Sequence, residues 1–281
     1  MTGSTIVDEW YPVGMVSGLE PETATSTVLM GEELSLMKET DSSITVRRGT
    51  EERPALVRFG HVWTSLGSPD HPLFSIPEAD NAERRLVDCG CVRVKCSPLR
   101  AVENFLDIAH FPFIHTGILG VEDHPEVKKY DVEVDEKLNE IWAKKVEFYQ
   151  PQAAASAQGG IITKYMYRVA TPTVSILYKT CPVRKGEWDI ITLFVQPVAE
   201  DVCDVWPWMA LYDDDTPLTD LIHFQQMIFL QDRSILENQI PRLLPLDPKL
   251  EIPTRADLTS IAYRRWLKRR HYTYGAQTVA A

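Results

Sequence analysis

Apolar and polar residues alternate, or apolar residues run on, over most of the second half of the chain. Residues 130–134, 141–148, 161–169, 174–178, 188–195 and 205–212 share this character and are rich in β-branched and aromatic side chains, as antiparallel strands are. The period lengthens to that of a helix over residues 216–239, where Leu218, Leu221, Ile222, Ile228, Phe229, Ile235 and Leu236 form an apolar stripe. A last helix is expected over 254–270. Another opens at Ser97, a good N-cap, with Pro98 at the first helical position. A long antiparallel sheet gripped by helices is an α+β architecture.

Ahead of these elements, residues 8–15, 27–36 and 43–46 read as short strands separated by Gly, Pro and polar turns. The proline-rich residues 68–81 make a natural linker. They divide the chain into a β region, residues 1–80, and a larger domain, residues 81–281. From 86 to 96 alternation returns and sets Val87, Cys89 and Cys91 on one strand face. Residues 150–160 are small and polar and read as a mobile loop, either a plain connector or a flap over a site.

Composition narrows the function classes. The 281 residues have room for one large or two small domains with a real core. A net charge of −11 argues against a nucleic-acid surface, which needs a basic footprint. No apolar run is long enough to span a bilayer, and the first residues lack the basic and apolar regions of a signal peptide, so a cytoplasmic protein is expected. The five cysteines, Cys89, Cys91, Cys96, Cys181 and Cys203, form no even disulfide framework. Cys89, Cys91 and Cys96 lack a fourth ligand at suitable spacing and read as small packing residues.

Candidate chemistry concentrates in residues 102–116, where Asn104, Asp107, His110 and His115 follow at spacings of three, three and five. Imidazoles are common metal ligands, and a carboxylate three residues before one can orient it through its second ring nitrogen. Asn104, Asp107 and His110 suit one helical face. His115 does not, since five residues at about 100° each carry it well round a straight helix. Pro112 lies between the two histidines and is expected to break or kink the helix there, which could bring both rings to one ion. Two buried, hydrogen-bonded core histidines would have the same spacing. A third ligand is open between the loop residues Glu122, Asp123 and His124 and the mid-helix Asp232, whose place in an apolar stripe calls for a cationic partner. Phe229 and Gln225 precede Asp232 by three and seven residues, so they share its helical face and offer an apolar plate and an amide to a heterocycle.

The pattern Asn-x-x-Asp-x-x-His-x-x-x-x-His at residues 104–115 resembles the iron-binding segment of Rieske-type non-haem iron oxygenases. Residues 10–13, 30–37 and 59–67 resemble the opening strands of that family, and residues 231–239 its distal carboxylate helix. The resemblance implies a helix-grip catalytic domain with His110, His115 and Asp232 as iron ligands. It also implies catalytic roles for Asp107, as acidic electron bridge, and for Asn104, with Glu237 a structural partner. The family normally holds a [2Fe–2S] cluster on Cys-x-His and Cys-x-x-His. Here residues 47–54 replace that section, and His61 has no cysteine two residues before it. Within the family, the segment together with the missing cluster section resembles the methylxanthine N-demethylases, in particular those acting on N7. The implied chemistry is removal of an N-methyl group from a small purine as formaldehyde, with Fe(II) and O₂ and without a [2Fe–2S] cluster in this chain. The implied partners are an NADH-dependent, Rieske-containing reductase and an accessory structural subunit, in an oligomer. The basic residues 264–270 are either a docking face or a solvated helix. A non-catalytic subunit and a helix-grip binding protein are the competing readings.

Overall fold

The computed structural model describes residues 6–152, 154–155, 159–247 and 249–277. The first half builds two small antiparallel sheets from β1 (Tyr11–Met15), β2 (Thr25–Leu29), β3 (Glu32–Lys38), β4 (Ile44–Arg48), β5 (Glu51–Arg53), β6 (Ala55–Arg58) and β7 (His61–Thr64). One has the order β1-β7-β6 and the other β2-β3-β4-β5. Then come β8 (Arg85–Asp88), β9 (Val92–Val94) and helices α1 (Pro98–Leu106) and α2 (Phe111–Ile114). A meander follows: β10 (Asp131–Asp135), β11 (Glu140–Gln150), β12 (Ile161–Thr171), β13 (Val174–Thr180), β14 (Trp188–Ala199) and β15 (Val202–Leu211). These strands make one antiparallel sheet in the order β10-β11-β12-β13-β14-β15-β8, with β9 also on β15. Helices α3 (Leu218–Leu236) and α4 (Leu258–Arg269) complete the domain. No helix among the described residues is long and apolar enough to cross a membrane.

The large sheet is covered on both faces, which is why several of its strands read as continuous apolar runs rather than clean alternation. On one face Tyr165, Tyr167, Leu177, Leu193 and Val205 pack with Leu99 and Val102 of α1, Phe229 of α3 and Trp266 of α4. On the other, Ile176, Ile190, Phe194 and Trp208 pack with Phe59, Trp63 and Ile76 from the first half of the chain. The two halves also share backbone bonds, Met30 N to Pro197 O at 2.7 Å and Gly31 N to Val198 O at 2.8 Å.

Helix α1 begins where the sequence predicts. The Ser97 hydroxyl accepts from Leu99 N and donates to Gly275 O at 2.7 Å, tying the helix start to the C-terminal segment. Ser97→Ala removes both bonds and is expected to cost about 1–2 kcal/mol, read from the urea midpoint.

Three expectations need correction. Gly90, at φ +80, separates β8 from β9, so Cys89 is buried while Cys91 is exposed and they do not share a strand face. On α3 the buried stripe is Leu221, Gln225, Phe229, Asp232 and Leu236. Leu218 is exposed and Ile222, Ile228 and Ile235 are only partly buried, because the inward face borders a polar site and not a dry core. The basic end of α4 is not simply solvated. Arg264 binds Glu103 of α1 at 2.5 Å and also pairs with Glu251, while Arg270 pairs with buried Glu9.

Candidate metal centre

Helix α1 stops at Leu106, and Asp107 turns to an extended conformation with φ −81 and ψ 134. The break therefore comes before Pro112, and Asn104, Asp107 and His110 do not lie along one helix. A continuous helix would set the Pro112 ring against the carbonyl of Ile108, four residues earlier. The Asp107 side chain offers an alternative, since its Oδ1 accepts from Ala109 N at 2.9 Å and so competes with helix propagation. Pro112 instead occupies the first turn of α2, with His110 at its N-cap and His115 at its C-cap. The same turn lets Asp107 Oδ2 reach His110 Nδ1 at 2.9 Å. Gly120 closes over α2 so tightly that a Cβ there would lie 2.7 Å from Pro112 N.

Asp232, near the C-terminal end of α3, reaches onto this pair of rings. Its Oδ1 lies 3.2 Å from His110 Nε2 and 3.0 Å from His115 Nε2, and the two imidazole nitrogens are 3.1 Å apart. Ligand atoms about 2.1 Å from an ion stand about 3.0 Å apart at right angles and about 3.4 Å apart at the tetrahedral angle. The triangle therefore fits three adjacent positions of an octahedron. Two imidazoles and one carboxylate on one face, with the remaining positions open, form the donor set suited to non-haem Fe(II).

The electrostatics agree with a cation at this point. Burial favours neutral His110, but the Asp107 and Asp232 carboxylates outweigh it and hold the pKa up at about 9. Burial likewise opposes charge on Asp232, yet His110 and His115 keep its pKa below the ordinary carboxylate value. Asp107 is also depressed, by its hydrogen bond to His110 acting against burial. Among the described residues, His110, His115 and Asp232 are the group of acidic, histidine or cysteine side chains placed to hold a metal.

A residue missed in the sequence completes the support. Gln231 Oε1 accepts from His115 Nδ1 at 2.8 Å, which leaves the Nε2 lone pair facing the triangle. Its only sequence signal is adjacency to Asp232. Gln231→Leu is expected to weaken Fe(II) affinity about 10–100-fold, measured by chelator competition. Asn104 Nδ2 lies 3.5 Å from Asp232 Oδ1, at the limit of a hydrogen bond. Glu237 accepts from Lys95 N and Arg233 Nε, a structural partner. Glu122 is exposed, and Asp123 and His124 line a separate surface depression beside Tyr149.

Between α3 and the sheet a cavity opens at the triangle. Gln225 and Phe229, both buried, line it with Asp232. The opposite wall carries Tyr165 and Tyr167, both buried, and the Tyr167 hydroxyl has no hydrogen-bond partner among the described residues. The sequence pattern places both tyrosines on a strand and carries no sign of the cavity. Ala154 and Ala155 reach the cavity rim. Residues 153 and 156–158 of the expected flap lie outside the described residues.

The family model described as the vanillate O-demethylase oxygenase C-terminal domain matches residues 94–272, which contain the whole triangle. The chain is 42% identical over 273 residues, 97% of each sequence, to a protein of Pseudomonas sp. (strain TJI-51) named probable methylxanthine N7-demethylase NdmC. It is 24% identical over 231 residues to the methylxanthine N1-demethylase NdmA of Pseudomonas putida, covering 75% of this chain and 58% of that one. Among solved structures it resembles Pseudomonas putida CBB5 NdmA with caffeine, with a TM-score of 0.75, 20% identity and coverage of 92% and 89%. Dicamba monooxygenase bound to dicamba gives a TM-score of 0.74 at 14% identity, with coverage of 95% and 98%. The match across residues 94–272 and the 42% identity over nearly the full length establish that this chain belongs to the vanillate O-demethylase oxygenase family of Rieske-type oxygenases and is an oxidoreductase.

Proposed function

We propose that the chain is the catalytic subunit of a non-haem Fe(II) monooxygenase that removes the N7 methyl group of 7-methylxanthine as formaldehyde. The observation that carries this reading is the His110, His115 and Asp232 triangle opening onto a cavity lined by Gln225 and Phe229. The likeness to a named N7-demethylase supports the substrate class. A non-catalytic subunit or a simple binding protein has no use for three ligand atoms converging in this way.

Fe(II) held at the triangle supplies activation of O₂ and oxidation of a methyl C–H bond. The chain's own groups do the rest. Phe229 and the tyrosines flank a planar ring, and the Gln225 amide donates to and accepts from its polar edge. The N-hydroxymethyl product then loses formaldehyde as its C–N bond breaks, and the hydroxyl proton passes by way of solvent to the ring nitrogen. One methyl group, one O₂, two electrons and two protons yield formaldehyde, water and the demethylated ring.

The electrons come, on this reading, from a cluster outside the chain. No cysteine precedes Cys89, and buried His61 is engaged by its Nδ1 with Phe59 O at 2.8 Å. Residues 1–80 would be a reduced Rieske-like region and residues 81–281 the catalytic domain. This division is supported by the separate small sheets at one side of residue 80 and the large sheet at the other. Asp107 lines a surface groove with Asn104, Ile235, Ile252, Arg265 and Lys268, which suits the approach of a Rieske-containing, NADH-dependent reductase. An accessory subunit and an oligomer belong to the same proposal.

Purified protein, Fe(II), 7-methylxanthine, NADH and a Rieske-bearing reductase together should release formaldehyde in step with xanthine, and omission of any one should stop it. Iron-loaded protein that yields no formaldehyde with a competent reductase rejects the proposal.

A further inference from the structure

The sheet wall of the cavity is apolar and aromatic except at one end. Alternation along β12, β13 and β14 turns Tyr165, Leu177, Lys179, Asp189 and Ile191 onto the cavity side. Lys179 stands opposite Tyr165 on one neighbouring strand and opposite Asp189 on the other. The residue is 6% exposed. Among the described residues its ammonium makes no hydrogen bond and no ion pair within 4.0 Å. Asp189 acts on it only at longer range, while Asp189 Oδ1 accepts from Tyr212 N at 3.3 Å. Gln150 Oε1, buried in the same lining, also lacks a hydrogen-bond partner among the described residues.

An ammonium enclosed in a cavity without a partner in contact loses much of its hydration and requires compensation. Burial accordingly pulls the Lys179 pKa down to about 8. A purely structural lysine would close an ion pair with Asp189; this one stands opposite it on the cavity side without doing so. What completes it is a group that the cavity takes in. Within the proposed substrate class, the oxygen-rich end of the ring carries N–H groups next to carbonyls. Loss of an imide proton spreads negative charge over those oxygens. A fully N-methylated xanthine has no such proton and binds only as a neutral molecule.

We propose that Lys179 is the specificity-determining residue of the cavity: its ammonium binds an imide oxygen of the heterocycle and favours the anion over the neutral form. The proton leaves to solvent and no bond to carbon changes. This rests on the demethylase reading and adds to it a preference for partly methylated xanthines that keep an ionisable N–H over fully methylated ones.

The test is binding to Fe(II)-loaded protein under anaerobic conditions at neutral pH, where nothing turns over. Bound 7-methylxanthine should show the red-shifted ultraviolet spectrum of its anion. Lys179→Met should weaken its binding at least about 10-fold and return the spectrum to the neutral form, since a charge-assisted hydrogen bond is lost. Lys179→Arg should keep the anion spectrum, and caffeine affinity should change less than about 3-fold in the Met variant. A neutral spectrum on the wild-type protein overturns the inference without any variant, as does unaltered 7-methylxanthine affinity in Lys179→Met. Tighter binding of a methoxybenzoate than of 7-methylxanthine overturns the assignment of the anion to an imide. Wild-type protein that binds no xanthine overturns the demethylase reading and this inference together, whereas binding and turnover with a neutral spectrum sinks the inference alone.

Discussion

Asp232→Ala is expected to empty the metal site and abolish demethylation while the fold survives. The carboxylate supplies the one anionic donor of the triangle, 3.0 Å from His115 Nε2 and 3.2 Å from His110 Nε2. Two imidazoles remain in the variant, donors that bring no negative charge, and they cannot offset the desolvation of a divalent ion in a largely buried site. Iron content should fall from about one to below about a tenth per chain, and turnover at least about 1000-fold. The rings themselves stay anchored, His110 by Asp107 and His115 by Gln231. Stability without metal should therefore change by no more than about 2 kcal/mol. Metal analysis, formaldehyde release and a denaturation curve on the same preparation check all three. Stoichiometric iron in the variant rejects Asp232 as a ligand.

The second large effect is expected at Asp107, with a different signature. Its carboxylate contacts His110 Nδ1 at 2.9 Å and also borders the surface groove, so it lies between the triangle and the surface. Asp107→Asn keeps an acceptor for the ring and removes the charge. Iron should be retained, yet reductase-driven formaldehyde release should drop at least about 100-fold. Hydrogen peroxide, which brings both the oxygen atom and the two oxidising equivalents, should restore formaldehyde formation in a single turnover because no electron has to cross. Loss of the peroxide reaction as well would make Asp107 a positioning residue alone. Full reductase-driven activity would remove it from the electron path.

Much of the local structure was legible in the sequence. The strands of the large sheet fall within a few residues of their apolar runs, and Ser97 with Pro98 starts α1 as capping chemistry demands. The spacing of His110 and His115, with Asp107 three residues ahead, marked the segment that carries the site. The position of the helix break was less legible, because Pro112 forbids a continuous helix but does not choose which preceding residue leaves it. That choice fell to Asp107, whose side chain captures Ala109 N. Leu218 falls outside the inward face of α3, because an apolar stripe presumes an apolar neighbour. This helix instead lies over a cavity, and its buried positions include Gln225 and Asp232.

By itself the sequence determined the elements, the α+β character, and the two histidines with the carboxylate beside them. These follow from side-chain periodicity, capping and proline sterics, all of which act between neighbours along the chain. Only the tertiary structure decided that Asp232, and not Glu122 or Asp123, stands against the histidines. It also decided that Gln231 holds His115, that Arg264 closes on Glu103, and that Lys179 is enclosed beside the same cavity. Those contacts join residues far apart in sequence, and their distances are set by how α1, α3 and the sheet pack around a common core. No local pattern encodes that packing.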